Sequence, residues 1–268
     1  MKIQNALLMV LFLLGAIITT ADEFGKFIGP VQTEWLGNGE GRKMKLLADF
    51  KYVDPTNSEW LAPKDAVIDG ASIPKAFWSF IGGPFEDLYR DASVIHDVAC
   101  DDKSRPWELV HENFYLGMRC SGVGLVKAKI MYAAVYYFGP RWPESIEIET
   151  TEGNVEGVLK TLESTAPTGS EIYPFLGASP PRGNTPAATS RLKLMATVVP
   201  PPNPLTQEDF LELSKKIEQS NGEIPLAGIR QFSLAKYKAR PTQIIRNGAL
   251  MKTKQSTEKY FQTHRVEK

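Results

Sequence analysis

The period of hydrophobic and polar positions changes along the chain. Between residues 28 and 70 the two kinds alternate and break at turn residues. Val31–Leu36 (VQTEWL) runs into Gly37-Asn38-Gly39-Glu40-Gly41, and Met44–Val53 (MKLLADFKYV) runs into Asp54-Pro55-Thr56-Asn57. Alternation bounded by Asn-Gly and Pro-Thr-Asn predicts short antiparallel strands joined by hairpin turns. A further strand is expected at Val67-Ile68, before Asp69-Gly70 turns the chain.

From residue 73 to 142 the spacing becomes helical. Pro74 opens a short helix through Phe80 that Gly82-Gly83-Pro84 ends. Phe85–Cys100 follows, with Leu88, Ala92, Ile95 and Ala99 on one face. Asp101–Lys103 reads as a charged turn. Pro106 then occupies a first helical turn, and Glu108 sits near that helix's positive end. This second helix fades at Ser121-Gly122, and a third, Leu125–Phe138, stops at Gly139-Pro140. The fold class expected is α+β: a small antiparallel sheet packed on a three-helix core with an antiparallel helical hairpin, then an extended Pro-rich and basic tail.

Composition adds a domain division. Residues 143–205 contain many Pro, Thr, Ser and Gly, including Pro180-Pro181 and Pro200-Pro201-Pro202. They read as a linker or loose arm. Thr206–Gln219 is one amphipathic helix, with Thr206 as its N-cap. The expected division is a signal peptide over 1–21, a globular α+β domain over 22–145, a linker over 146–205 and a basic tail over 206–268. The first of these rests on Lys2, the apolar run Ala6–Ile18 (ALLMVLFLLGAII) and Thr19-Thr20-Ala21, the layout of a secretory signal. A retained membrane anchor is the alternative. Either predicts an exported protein, periplasmic or secreted.

The 268 residues carry 31 Lys+Arg and 31 Asp+Glu, which removes any global case for nucleic-acid binding. The balance is uneven. Residues 182–268 hold 15 basic and 7 acidic side chains, a net of +8, and the rest of the chain is correspondingly −8. A basic end on an acidic body suits phospholipid or an anionic envelope surface, nucleic acid, an acidic partner or the body itself, and a solvated tail with no specific partner is the alternative.

Candidate chemistry concentrates in the predicted hairpin. Two of the three histidines, His96 and His111, fall there. Reflection about a turn near Lys103 places position 96 opposite position 110, so the two imidazoles are expected at one height on adjacent helices. Asp97 follows His96. Gly82 and Gly83, as a loop exposing carbonyls, could join Asp97 around a hard cation, with His96 as general base on a nearby water. The rival reading pairs His96 and His111 as ligands for a transition metal such as zinc, completed by Asp97 or Glu112. Cys100 and Cys120 end successive antiparallel helices about 21 Å of helix apart, which argues against a disulfide between them.

Asp69-Gly70-Ala71-Ser72-Ile73-Pro74, Trp78, Asp91-Ala92-Ser93-Val94-Ile95-His96-Asp97, Ser104-Arg105 and Phe114-x3-Met118 together resemble the bacterial and phage family called domain of unknown function 1353. The likeness covers residues 28–142. A fainter similarity joins the Gly-rich loop and the D-A-x3-H-D helix to secreted and parvoviral phospholipases A2. It implies lipid-ester hydrolysis with His96 as base, Asp97 as calcium ligand, Gly82 and Gly83 in the calcium loop, and the base-orienting position at His111. This chain departs from those enzymes in having His111 where they have an acid, and Cys100 where they have Tyr. The alternative to catalysis is a non-catalytic exported module that binds a partner or envelope surface through the basic tail.

Overall fold

Short alternating strands build the N-terminal part, as the turn residues predict. The computed structural model describes residues 23–37, 43–70, 87–178, 191–203, 205–237 and 241–246. The expected signal peptide, the short helix from Pro74, the Gly82-Gly83 loop and the last 22 residues of the basic tail lie outside these. The chain divides into two units, residues 1–139 with 214–224 and residues 140–213 with 225–268.

The first unit holds two small antiparallel sheets where one was expected. β1 (Lys26–Ile28), β4 (Phe50–Val53) and β5 (Glu59–Ala62) form one, in the order β1-β4-β5. β2 (Thr33–Trp35), β3 (Met44–Leu46) and β6 (Val67–Ile68) form the other, in the order β2-β3-β6. The stretch Met44–Val53 therefore breaks into two strands that serve different sheets. Alternation sets the core: Met44, Leu46, Phe50, Tyr52, Trp60, Ala62 and Ile68 are buried. Asp54 organises the β4–β5 turn. Its Oδ1 accepts the backbone N–H groups of Thr56 (2.8 Å) and Ser58 (3.0 Å), and its Oδ2 accepts Trp60 Nε1–H (3.0 Å).

Three helices complete this unit: α1 (Arg90–Asp102), α2 (Trp107–Cys120) and α3 (Leu125–Phe138). α1 starts later than expected. Residues Asp87–Tyr89 form a 3₁₀ turn, and Leu88 faces solvent rather than the core. At the other end α1 takes in Asp101 and Asp102, and Lys103 in the left-handed conformation stops it. α2 follows Pro106, and α3 has the predicted bounds. Gly117 sets the spacing of the hairpin, since a Cβ there would meet Ala92 Cβ at 3.1 Å and Phe27 Cζ at 3.4 Å. α1 also packs on β5 and β6. Residues 214–224 are held by buried Lys129, whose ammonium donates to the carbonyls of Gly222 (2.5 Å) and Ile224 (2.7 Å).

The second unit corrects the expectation of a linker over 146–205. β7 (Glu144–Thr151), α4 (Val155–Thr165), β8 (Glu171–Ala178) and β9 (Arg191–Val199) join β10 (Gln243–Ile244) in a sheet of order β10-β8-β9-β7. β9 is antiparallel to both β7 and β8, and β10 is parallel to β8. β7 and β8 thus run the same way on either side of β9, joined through α4, a split β-α-β arrangement. The reason is burial: Leu159, Ile172, Leu194, Ala196 and Val198 form one apolar cluster with Val155 and Leu162. α5 (Gln207–Gln219) carries the expected cap, with Thr206 Oγ1 accepting Asp209 N–H and Asp209 Oδ2 accepting Thr206 N–H. α6 (Leu226–Lys236) is an additional helix in the region read as tail.

Candidate functional site

The predicted hairpin brings His96 and His111 together. His96 Nε2 and His111 Nδ1 lie 2.8 Å apart, with one proton between them. Both side chains are buried, at 1% and 0% exposure. Rings surround them. Phe114 lies 4.7 Å from His96, and Trp107 presents its edge to His111 at 5.7 Å. Gly139 closes the far side, where an added Cβ would meet His111 Cε1 at 3.1 Å.

Cys100 is the third member. It stands one turn after His96 on the same face of α1, with Sγ 3.6 Å from His96 Nε2 and 3.9 Å from Nδ1. Its place was visible as an i, i+4 partner of His96, but its spacing from Cys120 drew attention to disulfide pairing instead. No disulfide joins the two. Cys120 donates to Gly25 O at 3.2 Å.

Asp97 points elsewhere. Its Oδ2 accepts the Gly70 N–H at 2.6 Å, and Oδ1 has no hydrogen-bond partner among the described residues. Asp97 therefore ties the Asp69-Gly70 turn to α1 and does not orient His96. Gly82 and Gly83 lie outside the described residues. Glu108 accepts Tyr136 O–H at 2.9 Å. Arg105 stacks over Trp60 at 4.0 Å and donates to Glu59 O at 2.5 Å.

Desolvation dominates the site's electrostatics. Burial holds His96 well below the usual imidazole value, and His111 adds to this. Burial pushes the Asp97 carboxyl up to about 8, against the Gly70 hydrogen bond that opposes the rise. Burial also raises the Cys100 thiol, and Asp97 contributes. At neutral pH His96 is an uncharged imidazole beside a protonated thiol.

A groove of about 380 Å³ lies on the neighbouring face of α1, between Ile95, Ala99 and Asp102 on one side and Trp60 and Arg105 on the other. Among the described residues no helix is long and apolar enough to cross a membrane.

Comparison with known proteins finds relatives over the part of the chain that holds this site. "Uncharacterized protein y4jT" of Sinorhizobium fredii (strain NBRC 101917 / NGR234) is 44% identical over 144 residues, which are 53% of this chain and 43% of that protein. "Uncharacterized protein y4iH" of the same organism is 46% identical over 104 residues, 39% of this chain and 44% of that protein. The chain thus spans less than half the length of the curated relatives it matches. No solved structure matches. Residues 44–135, which contain His96, Asp97, Cys100 and His111, match the model of the family described as protein of unknown function, DUF1353.

Proposed function

We propose that this chain acts by binding rather than by hydrolysing lipid, and that its His-Asp helix serves the stability of the binding domain. One observation carries the reading. His96 is 1% exposed in a ring-lined interior, with its Nε2 2.8 Å from His111 Nδ1 and its Nδ1 3.9 Å from Cys100 Sγ. A general base has to reach the proton it removes, directly or through one water, and burial keeps both ring nitrogens from bulk water. Asp97 gives calcium little to hold, because its Oδ2 is taken by an N–H and calcium needs six or more oxygens.

The partner this reading favours is an anionic surface, phospholipid or envelope, met by an exported protein. Its support is the net +8 over residues 182–268. Part of that charge is balanced within the second unit, where Arg246 pairs with Glu156, Lys193 with Glu147, and Lys236 with Asp209 and Glu212.

The test presents the full chain with vesicles of zwitterionic or anionic phospholipid and calcium. Fatty-acid release and co-sedimentation are both followed. The expected result is no calcium-dependent release above that of His96→Ala, with co-sedimentation on anionic vesicles that weakens as salt rises. Calcium-dependent release that His96→Ala abolishes would restore the hydrolase. Failure to sediment would remove the anionic surface as partner.

A further inference from the structure

One ring nitrogen each of His96 and His111 and the Cys100 Sγ lie within 4.8 Å of one another, and all three side chains are buried. The chain has three histidines and two cysteines in all. Three of those five meet at this point in an otherwise aromatic interior. Imidazole nitrogen and thiolate sulfur are the donors that zinc and its thiophilic neighbours take, whereas calcium and magnesium take oxygens. We propose that His96, Cys100 and His111 form a binding site for a zinc-class transition-metal ion, a structural centre that ties α1 to α2.

The backbone already sets the ligands in place. His96 and Cys100 come from successive turns of α1, and His111 comes from the facing turn of α2. A tetrahedral zinc with nitrogens at about 2.0–2.1 Å and sulfur at about 2.3 Å separates two nitrogens by about 3.3 Å, and nitrogen from sulfur by about 3.6 Å. The His96–Cys100 separation of 3.6 Å meets that requirement. The imidazoles, at 2.8 Å, open by about half an ångström as the ion replaces the proton between them.

Charge and protons balance simply. The bridging proton moves to the other nitrogen of its own ring, so both imidazoles stay neutral. The thiol proton goes to solvent as Cys100 becomes the thiolate ligand. The enclosed position, with rings on either side, suits a centre that holds two helices together rather than one that meets a substrate. The three ligands fall outside residues 182–268, the stretch invoked for binding, and neither reading depends on the other.

The experiment titrates the metal-free full chain with cobalt(II) as a coloured stand-in, then displaces it with zinc(II). One equivalent of cobalt is expected to bind with a thiolate charge-transfer band and the intense ligand-field bands of a tetrahedral site. Zinc is expected to displace it and raise the thermal midpoint, and calcium to do neither. Cys100→Ser, close in volume to the native side chain, should lose the band and bind zinc at least about tenfold more weakly. Cys120→Ser should keep both, which retains the test if Cys100→Ser folds poorly. Absence of stoichiometric binding, or a band lost in Cys120→Ser, overturns the proposal. So does zinc affinity that is unchanged in Cys100→Ser.

Discussion

The Gly70 N–H donates to Asp97 Oδ2 across 2.6 Å inside the first unit. This bond joins the turn at Asp69-Gly70 to the helix carrying His96 and Asp97. Gly70 holds φ at +93°, a conformation that other residues rarely adopt. The carboxyl it meets is buried, and burial raises that carboxyl to about 8.

Asp97 and His96 give stability opposite pH dependences. In the folded chain Asp97 keeps its proton up to about 8, while the unfolded chain releases it near 3.8. Its contribution to folding is thus full at low pH and declines as pH rises through that window. His96, held below 6.5, contributes fully above that value and loses its contribution as pH falls. In the metal-free chain, Asp97→Asn is expected to abolish the decline that runs from about pH 4 to about pH 8 and so to expose the acid-side loss from His96 that it offsets. Urea denaturation on both sides of pH 6.5 checks both signs.

Gly139 is expected to resist substitution. An added Cβ would lie 2.4 Å from Val135 O and 3.1 Å from His111 Cε1. Gly139→Ala forces the end of α3 away from the imidazole pair and is expected to lower stability by about 1–3 kcal/mol, read from denaturant midpoints.

The hairpin was legible because its marks are local. Pro106 and the polar turn near Lys103 fix the reflection, and counting outward pairs His96 with His111. Cys100 needed only the i, i+4 rule. The second unit was hidden by composition. Pro180-Pro181 and Pro200-Pro201-Pro202 suggest a loose arm, yet Ser145-Ile146-Glu147-Ile148-Glu149 alternates as a strand does, and so does Leu192–Val198. Their apolar faces acquire meaning only when α4 covers them, a contact between segments that no local pattern contains. The burial of the imidazoles was equally out of reach, since it depends on Trp107, Phe114 and the close approach allowed at Gly117.

Lys129 is expected to matter despite its distance from the histidines. Its ammonium satisfies the carbonyls of Gly222 and Ile224 at the end of α5, and burial lowers its pKa. Lys129→Met should cost about 2 kcal/mol and speed amide exchange through residues 220–224, measured by hydrogen–deuterium exchange.

Asp54 should govern the β4–β5 hairpin. Burial works against its charge, but hydrogen bonds from Thr56, Trp60 and Ser58 outweigh it and hold the carboxyl below its ordinary value. Its stabilisation is therefore present at neutral pH and lost as the solution is made acid. Asp54→Ala should cost about 2–3 kcal/mol at neutral pH, with a smaller cost in acid, by thermal or urea denaturation.

The imidazole pair decides the central claim, and nuclear magnetic resonance of the ring nitrogens of His96 and His111 between about pH 5 and about pH 8 reads it directly. For the metal-free chain the account predicts a neutral His96 ring whose shifts stay constant across that range, with a slowly exchanging proton shared with His111. A His96 resonance that titrates near the ordinary imidazole value, with its proton in fast exchange with water, would contradict it and return His96 to the role of a solvent-facing base.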